Sequence, residues 1–199
     1  MRFVILFISL GIQLGLAQEN TSKTTSLDFQ NELNKEFSTR ETSPLTKEDF
    51  KDFKGLDFYP ISEKFIVTAK FKKLKNQKEF EMKTSTSRAP KYLKYGLLTF
   101  KIDGKKHQLF VYQNIELTKV KGNEKDLFLP FSDKTSGNDT YIGGRYIDLK
   151  IPEGDAVIID FNTAYNPYCA YNHLYSCPLV PMENDLNVEI LAGVKKFHE

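Results

Sequence analysis

Apolar and polar positions change their period near Pro60, and the change predicts two kinds of structure. Before it, Phe29, Leu33 and Phe37 recur every four positions among charged residues, the spacing of a short amphipathic helix from Leu27 to about Thr39. Thr46 followed by Asp49 matches a capping box, which opens a second short helix through Phe53 that Gly55 stops. After Pro60, Phe65, Val67, Ala69 and Phe71 alternate with Lys64, Ile66, Thr68 and Lys70, the two-residue repeat of a strand with one buried face. Phe80 and Met82 repeat the pattern, as do Leu98, Phe100 and Ile102. Asp103-Gly104 then predicts a tight hairpin into a strand from Leu109 to Tyr112. Leu127 to Phe131, Tyr141 to Ile151, Ala156 to Asn162 and Leu186 to Ala192 bring the total to about eight strands. No helix-length periodic segment lies between them. The expected fold is therefore mainly β: one domain over 27–199, an antiparallel β-sandwich or partly closed barrel with one or two short N-terminal helices.

The ends refine this picture. Arg2, the apolar run from Phe3 to Ile8 and the small residues Gly15 and Ala17 read as a signal peptide over 1–17, cut after Ala17. A flexible Ser- and Thr-rich leader over 18–26 is expected to follow. The apolar run is shorter than the roughly 20 residues of a spanning helix, so export without stable membrane insertion is expected. The formal charge of +2, from 28 bases and 26 acids, includes Arg2 and falls further on cleavage, which argues against nucleic acid as a partner. Lys70, Lys72, Lys73, Lys75 and Lys78 form the one basic patch and read as a solvated strand edge and turn.

Candidate chemistry concentrates between Leu127 and Asn184. In the strand after Gly143-Gly144, Ile147, Leu149 and Ile151 share one face, and Arg145 lies on it, opposite Tyr146, Asp148 and Lys150. A guanidinium pointing inward must be paired, and the nearest expected partners are Asp160 on the following strand and then Glu183. Two readings stay open: a structural pair locking neighbouring strands, or an anchor for an anionic ligand with Asp160 holding the guanidinium in place. Gly143-Gly144 would admit backbone amides to an anion, or simply bend the strand. The loop from Asn162 to Tyr175 adds Tyr165, Asn166 and Tyr171, whose rings and amide suit a pocket for a sugar ring or flat heterocycle, or pack the loop. Cys169 and Cys177 are expected to form a disulfide in an exported chain, with a reduced pair or a metal set including His173 as the alternatives. His-Glu-x-x-His, Gly-x-Ser-x-Gly and phosphate-binding glycine loops are absent, so no cofactor or metal is expected and an enzyme is allowed but not indicated.

Several motifs in order carry a resemblance. They are Leu127 to Phe131 with Asp133, Thr135 and Gly137; Thr140-Tyr141 and Gly143 to Tyr146; Asp160 to Asn162 with Ala164 to Pro167; Cys169 to Tyr171; Cys177 to Leu179; and Ala192-Gly193. Together with Ser43 to Leu45 and Phe53 to Leu56, they resemble the uncharacterised family catalogued as domain of unknown function 1684, over about residues 28–197. Ile142 stands where that family usually has another glycine. The resemblance implies export to the periplasm or beyond, as in members from the Bacteroidota, and implies no activity.

The reading that follows is an exported protein binding a small anionic or carbohydrate-like ligand through Arg145, Tyr146, Asp160, Asn162, Tyr165, Asn166, Tyr171 and Glu183. A hydrolase using Asp160 or Glu183 as general base, with or without a metal, is the first alternative. A structural or partner-binding envelope protein without a pocket is the second.

Overall fold

A computed structural model describes residues 25–198. The expected signal peptide over 1–17, and the leader as far as residue 24, lie outside the described residues. Thr25 and Ser26, assigned to the leader, already belong to helix α1 (25–38). Helix α2 (Lys47–Asp52) begins as its capping box predicts: the Thr46 hydroxyl accepts from the Asp49 amide at 3.1 Å and donates to the Asp49 carboxylate at 2.7 Å.

The strands are β1 (Ile66–Lys73), β2 (Glu79–Glu81), β3 (Lys91–Ile102), β4 (Lys105–Asn114), β5 (Asp126–Asp133), β6 (Arg145–Lys150), β7 (Ala156–Asp160) and β8 (Asp185–Leu186). They form one curled, half-barrel sheet in the order β6-β5-β4-β3-β1-β7, with β2 beside β3 and β8 beside β5. The pairings along this path are antiparallel, and β8 alone runs parallel to its neighbour. Asp103 and Gly104, both at positive φ, make the predicted two-residue turn between β3 and β4.

Alternation places the core where it was expected. Val67, Ala69, Phe71, Leu98, Phe100, Leu129, Phe131, Ile147 and Ile159 are buried together on one face of the sheet, while Ile158, one position out of phase, is 58% exposed. In β4 the unbroken run Leu109 to Tyr112 buries residues toward both faces. Leu109 and Val111 enter the main core, whereas Tyr112 joins Met82 and Tyr92 in a smaller cluster on the other side. A third cluster, of Phe37, Leu45, Leu56, Tyr171 and Val194, fixes the N-terminal helices to the loops.

Three expected strands are shorter than their patterns. The Tyr141 to Ile151 strand starts only at Arg145, because the Gly144 amide donates back to the Tyr141 carbonyl and Gly144 sits at φ +81°. A Cβ there would lie 2.5 Å from the Phe131 carbonyl oxygen, so the double glycine is a close-packed turn into the strand. The Ala156 to Asn162 strand stops at Asp160, whose side chain accepts from the Asn162 amide and starts a 3-10 turn. The Leu186 to Ala192 segment pairs as a strand only through Asp185–Leu186. Beyond it, the carbonyls of Ile190, Ala192 and Val194 all receive the Arg145 guanidinium. One side chain there stands in for a neighbouring strand, since alternate carbonyls of an extended segment point the same way.

Candidate functional site

Arg145 is indoors, as its face requires, but its partner differs from both expected ones. It is 0% exposed and paired with Asp133 at 3.3 Å. Asp133 in turn accepts from Thr135 at 2.9 Å and from the Ile190 amide at 2.6 Å. The Phe131 ring lies 5.2 Å from the guanidinium carbon. Burial lowers the Arg145 pKa and the Asp133 charge opposes this, which is the balance of a sealed structural pair.

Asp160 was expected beside Arg145 because β7 follows β6 in the chain. The two strands are instead at opposite ends of the sheet path. Asp160 accepts from Ser26 at 2.5 Å and from the Asn162 side chain at 2.8 Å, and so ties α1 to the sheet. Glu183 is engaged by Lys94 at 2.7 Å and by the Tyr112 hydroxyl at 3.0 Å. Asn162 exchanges hydrogen bonds with both backbone groups of Ser62, and its own carbonyl accepts from Gln30. Asn166 donates to the Lys195 carbonyl, and Tyr171 packs edge-on against Phe37 with centroids 4.6 Å apart. These six residues hold the molecule together and do not line the aromatic cavity on the other face of β6.

Tyr146 and Tyr165 do line it. A cavity of about 540 Å³ opens on the face of β6 opposite Arg145. Its floor comes from alternate positions of neighbouring strands, in register. Tyr92 stands opposite Asn114, and Phe128 stands between Tyr112 and Asp148. Its far wall is α1, through Phe29, Leu33 and Glu36. The tyrosine-rich loop closes one end.

A chain of inclined rings runs through the site. Tyr92 to Phe128 is 5.8 Å between centroids, Phe128 to Tyr146 4.7 Å, Tyr146 to Tyr165 5.9 Å and Tyr165 to Phe29 6.4 Å. The Tyr165 hydroxyl donates to Asp148 at 2.8 Å, the Tyr168 hydroxyl donates to Glu36, and the Tyr146 hydroxyl donates to the Pro178 carbonyl. Asp148 is reached from the cavity and remains exposed at its edge. Partial desolvation by the neighbouring rings raises its pKa, against the lowering effects of the Tyr165 hydrogen bond and the nearby Lys150 charge. The Tyr165 hydroxyl is raised well above its ordinary value, first by burial and then by Asp148.

Cys169 and Cys177 are neighbouring free thiols, where a disulfide was expected. The Cys169 amide donates to Cys177 Sγ at 3.2 Å. A hydrogen bond from Cys177 lowers the Cys169 pKa to about 6, while the same contact and burial push Cys177 up. His173 is exposed, and among the described residues no three His, Cys, Asp or Glu side chains come together as a metal site. No helix of the described residues is long and apolar enough to cross a membrane.

The signal for this cavity was present on the face of β6 opposite Arg145, where Tyr146, one of the expected ligand residues, and Asp148 alternate with the core residues. The contributions of Tyr92, Phe128 and α1 had no local signal, because only the curl of the sheet brings them there.

A family model described as "Protein of unknown function (DUF1684)" matches residues 51–195. The solution NMR structure of an uncharacterized protein from Haloarcula marismortui is similar at a TM-score of 0.70 and 32% identity. The similarity covers 90% of this chain and 96% of that one. No curated protein matches in sequence.

Proposed function

The chain belongs to the DUF1684 family, whose description assigns no activity, and from the cavity we propose that it is an exported protein binding a small, carbohydrate-like ligand. The observation that carries this reading is the inclined ring chain around about 540 Å³ of space, with carboxylate and amide groups between the rings. Aromatic faces suit the apolar face of a sugar ring, and Asp148 and Asn114 suit its hydroxyls. The expected anchor for an anion, Arg145, is closed off from this space. Asp160 and Glu183, the bases of the hydrolytic alternative, are engaged outside it. In the same reading residues 1–17 are removed on export, and the two cysteines oxidise once outside the cytoplasm.

Leu117, on the cavity rim and 49% exposed, allows a test that leaves the core alone. Thermal-shift measurements of the mature protein with neutral saccharides, amino sugars, carboxylates and nucleotides are expected to find a stabilising ligand. Leu117→Trp, which fills the opening, is expected to abolish that stabilisation without lowering the ligand-free melting temperature. A panel in which no compound stabilises the wild type, or in which the tryptophan changes nothing, removes the proposal.

A further inference from the structure

The charged side chains that line the cavity are all acidic. Glu36, Asp126 and Asp148 line it, and among the described residues no Lys, Arg or His side chain does. Asp126 is neutralised by an ion pair with Lys150. Among the described residues, Asp148 and Glu36 make no ion pair with a base; each accepts instead from a tyrosine hydroxyl, Tyr165 and Tyr168 respectively. Both carboxylates face the cavity without an ion-pair partner of their own, and an incoming positive charge would supply one. Hydrogen bonding to a carboxylate also leaves a phenol ring richer in electrons, which strengthens its attraction for a cation over its face. The rings around Tyr146 meet at steep angles, 74° to Phe128 and 89° to Tyr165, and Tyr146, Phe128 and Tyr165 all line the cavity.

Resting on the reading that this cavity binds a small molecule, we propose that its ligand carries a positive charge: an alkylammonium group seated in the ring cage against Asp148. The same arrangement disfavours carboxylates and phosphates, which would meet Asp148 and Glu36 with no base to offset them. A neutral sugar satisfies the rings but gives Asp148 no ion-pair partner. An amino sugar or a choline-like molecule satisfies both.

Choline and its uncharged carbon isostere, dimethylbutanol, differ in little but charge and separate these possibilities. Calorimetric titration of the mature protein is expected to show choline binding at least tenfold tighter than dimethylbutanol, with the preference shrinking as salt is added. Asp148→Asn keeps the shape and the Tyr165 acceptor, and is expected to erase the preference while the circular dichroism spectrum stays unchanged. Should that variant not fold, Glu36→Gln is expected to reduce the preference in the same direction. Equal binding of the two probes, or a preference untouched by either variant, overturns the charge assignment while leaving a ligand-binding cavity in place. Binding of neither probe also overturns it, and the cavity reading is then decided by the saccharide panel and Leu117→Trp.

Discussion

Arg145 and Asp148 lie three positions apart on one strand and illustrate two uses of a charge. Arg145 is enclosed, and its two terminal nitrogens donate to Asp133 and to carbonyls from the segment after β8. Removing it leaves a buried carboxylate and several carbonyls unpaired, so Arg145→Met is expected to lose about 3–5 kcal/mol in urea denaturation. A role in reading a ligand would instead show as lost binding at near-normal stability.

Asp148 behaves oppositely because burial raises its pKa. The folded state holds the proton more tightly than the unfolded chain does. The stabilisation this brings is complete below the unfolded pKa and is lost as pH rises through the higher, folded one. Asp148→Asn is therefore expected to melt above the wild type at about pH 7, the gap closing as the pH falls below the ordinary aspartate pKa of about 4. Scanning calorimetry across that range checks it, and a wild type that melts higher at neutral pH would mean that the charge has a stabilising partner.

At the scale of elements, α1 and the tyrosine-rich loop build walls that the strands alone do not supply. Helix α1 is held by Ser26 to Asp160, Gln30 to the Asn162 carbonyl and Asn34 to the Leu56 amide, with Phe37 buried beneath it. Phe29, Leu33 and Glu36 are thereby set on the cavity.

The loop is pinned beside Thr84–Ser85. The Ser85 amide donates to the Cys177 carbonyl at 2.8 Å, and the Cys177 amide donates to the Ser85 hydroxyl at 3.1 Å. With the thiols already in contact, oxidation is expected to proceed under mild oxidant and to stabilise the protein by about 2 kcal/mol through loop closure. Intact mass before and after reduction, with paired melting curves, measures both. A chain that stays fully reduced, or unfolds on oxidation, would count against the disulfide.

Over the whole molecule, the local patterns fared according to how local their causes were. The two-residue repeats of β1 and β3, the Asp103-Gly104 turn, the Thr46 cap and the period of Phe29, Leu33 and Phe37 are short-range steric and packing effects, and each was legible in the chain. The expectation that Arg145 turns inward was of the same kind. Its pairing with Asp133 was not, because strand order is not chain order: β6 lies beside β5, which carries Asp133, while β7 crosses to the far edge next to β1. The cavity escaped for a related reason. The face of β6 opposite Arg145 is roofed by a helix more than a hundred residues earlier, so Tyr146 and Asp148 line a space that no local pattern located. The sequence by itself determined the kinds of element, the hairpin and the buried faces, since these follow from neighbours a few bonds apart. Only the tertiary structure decided which charges meet and where the open space lies, since those depend on how the curled sheet brings distant segments together.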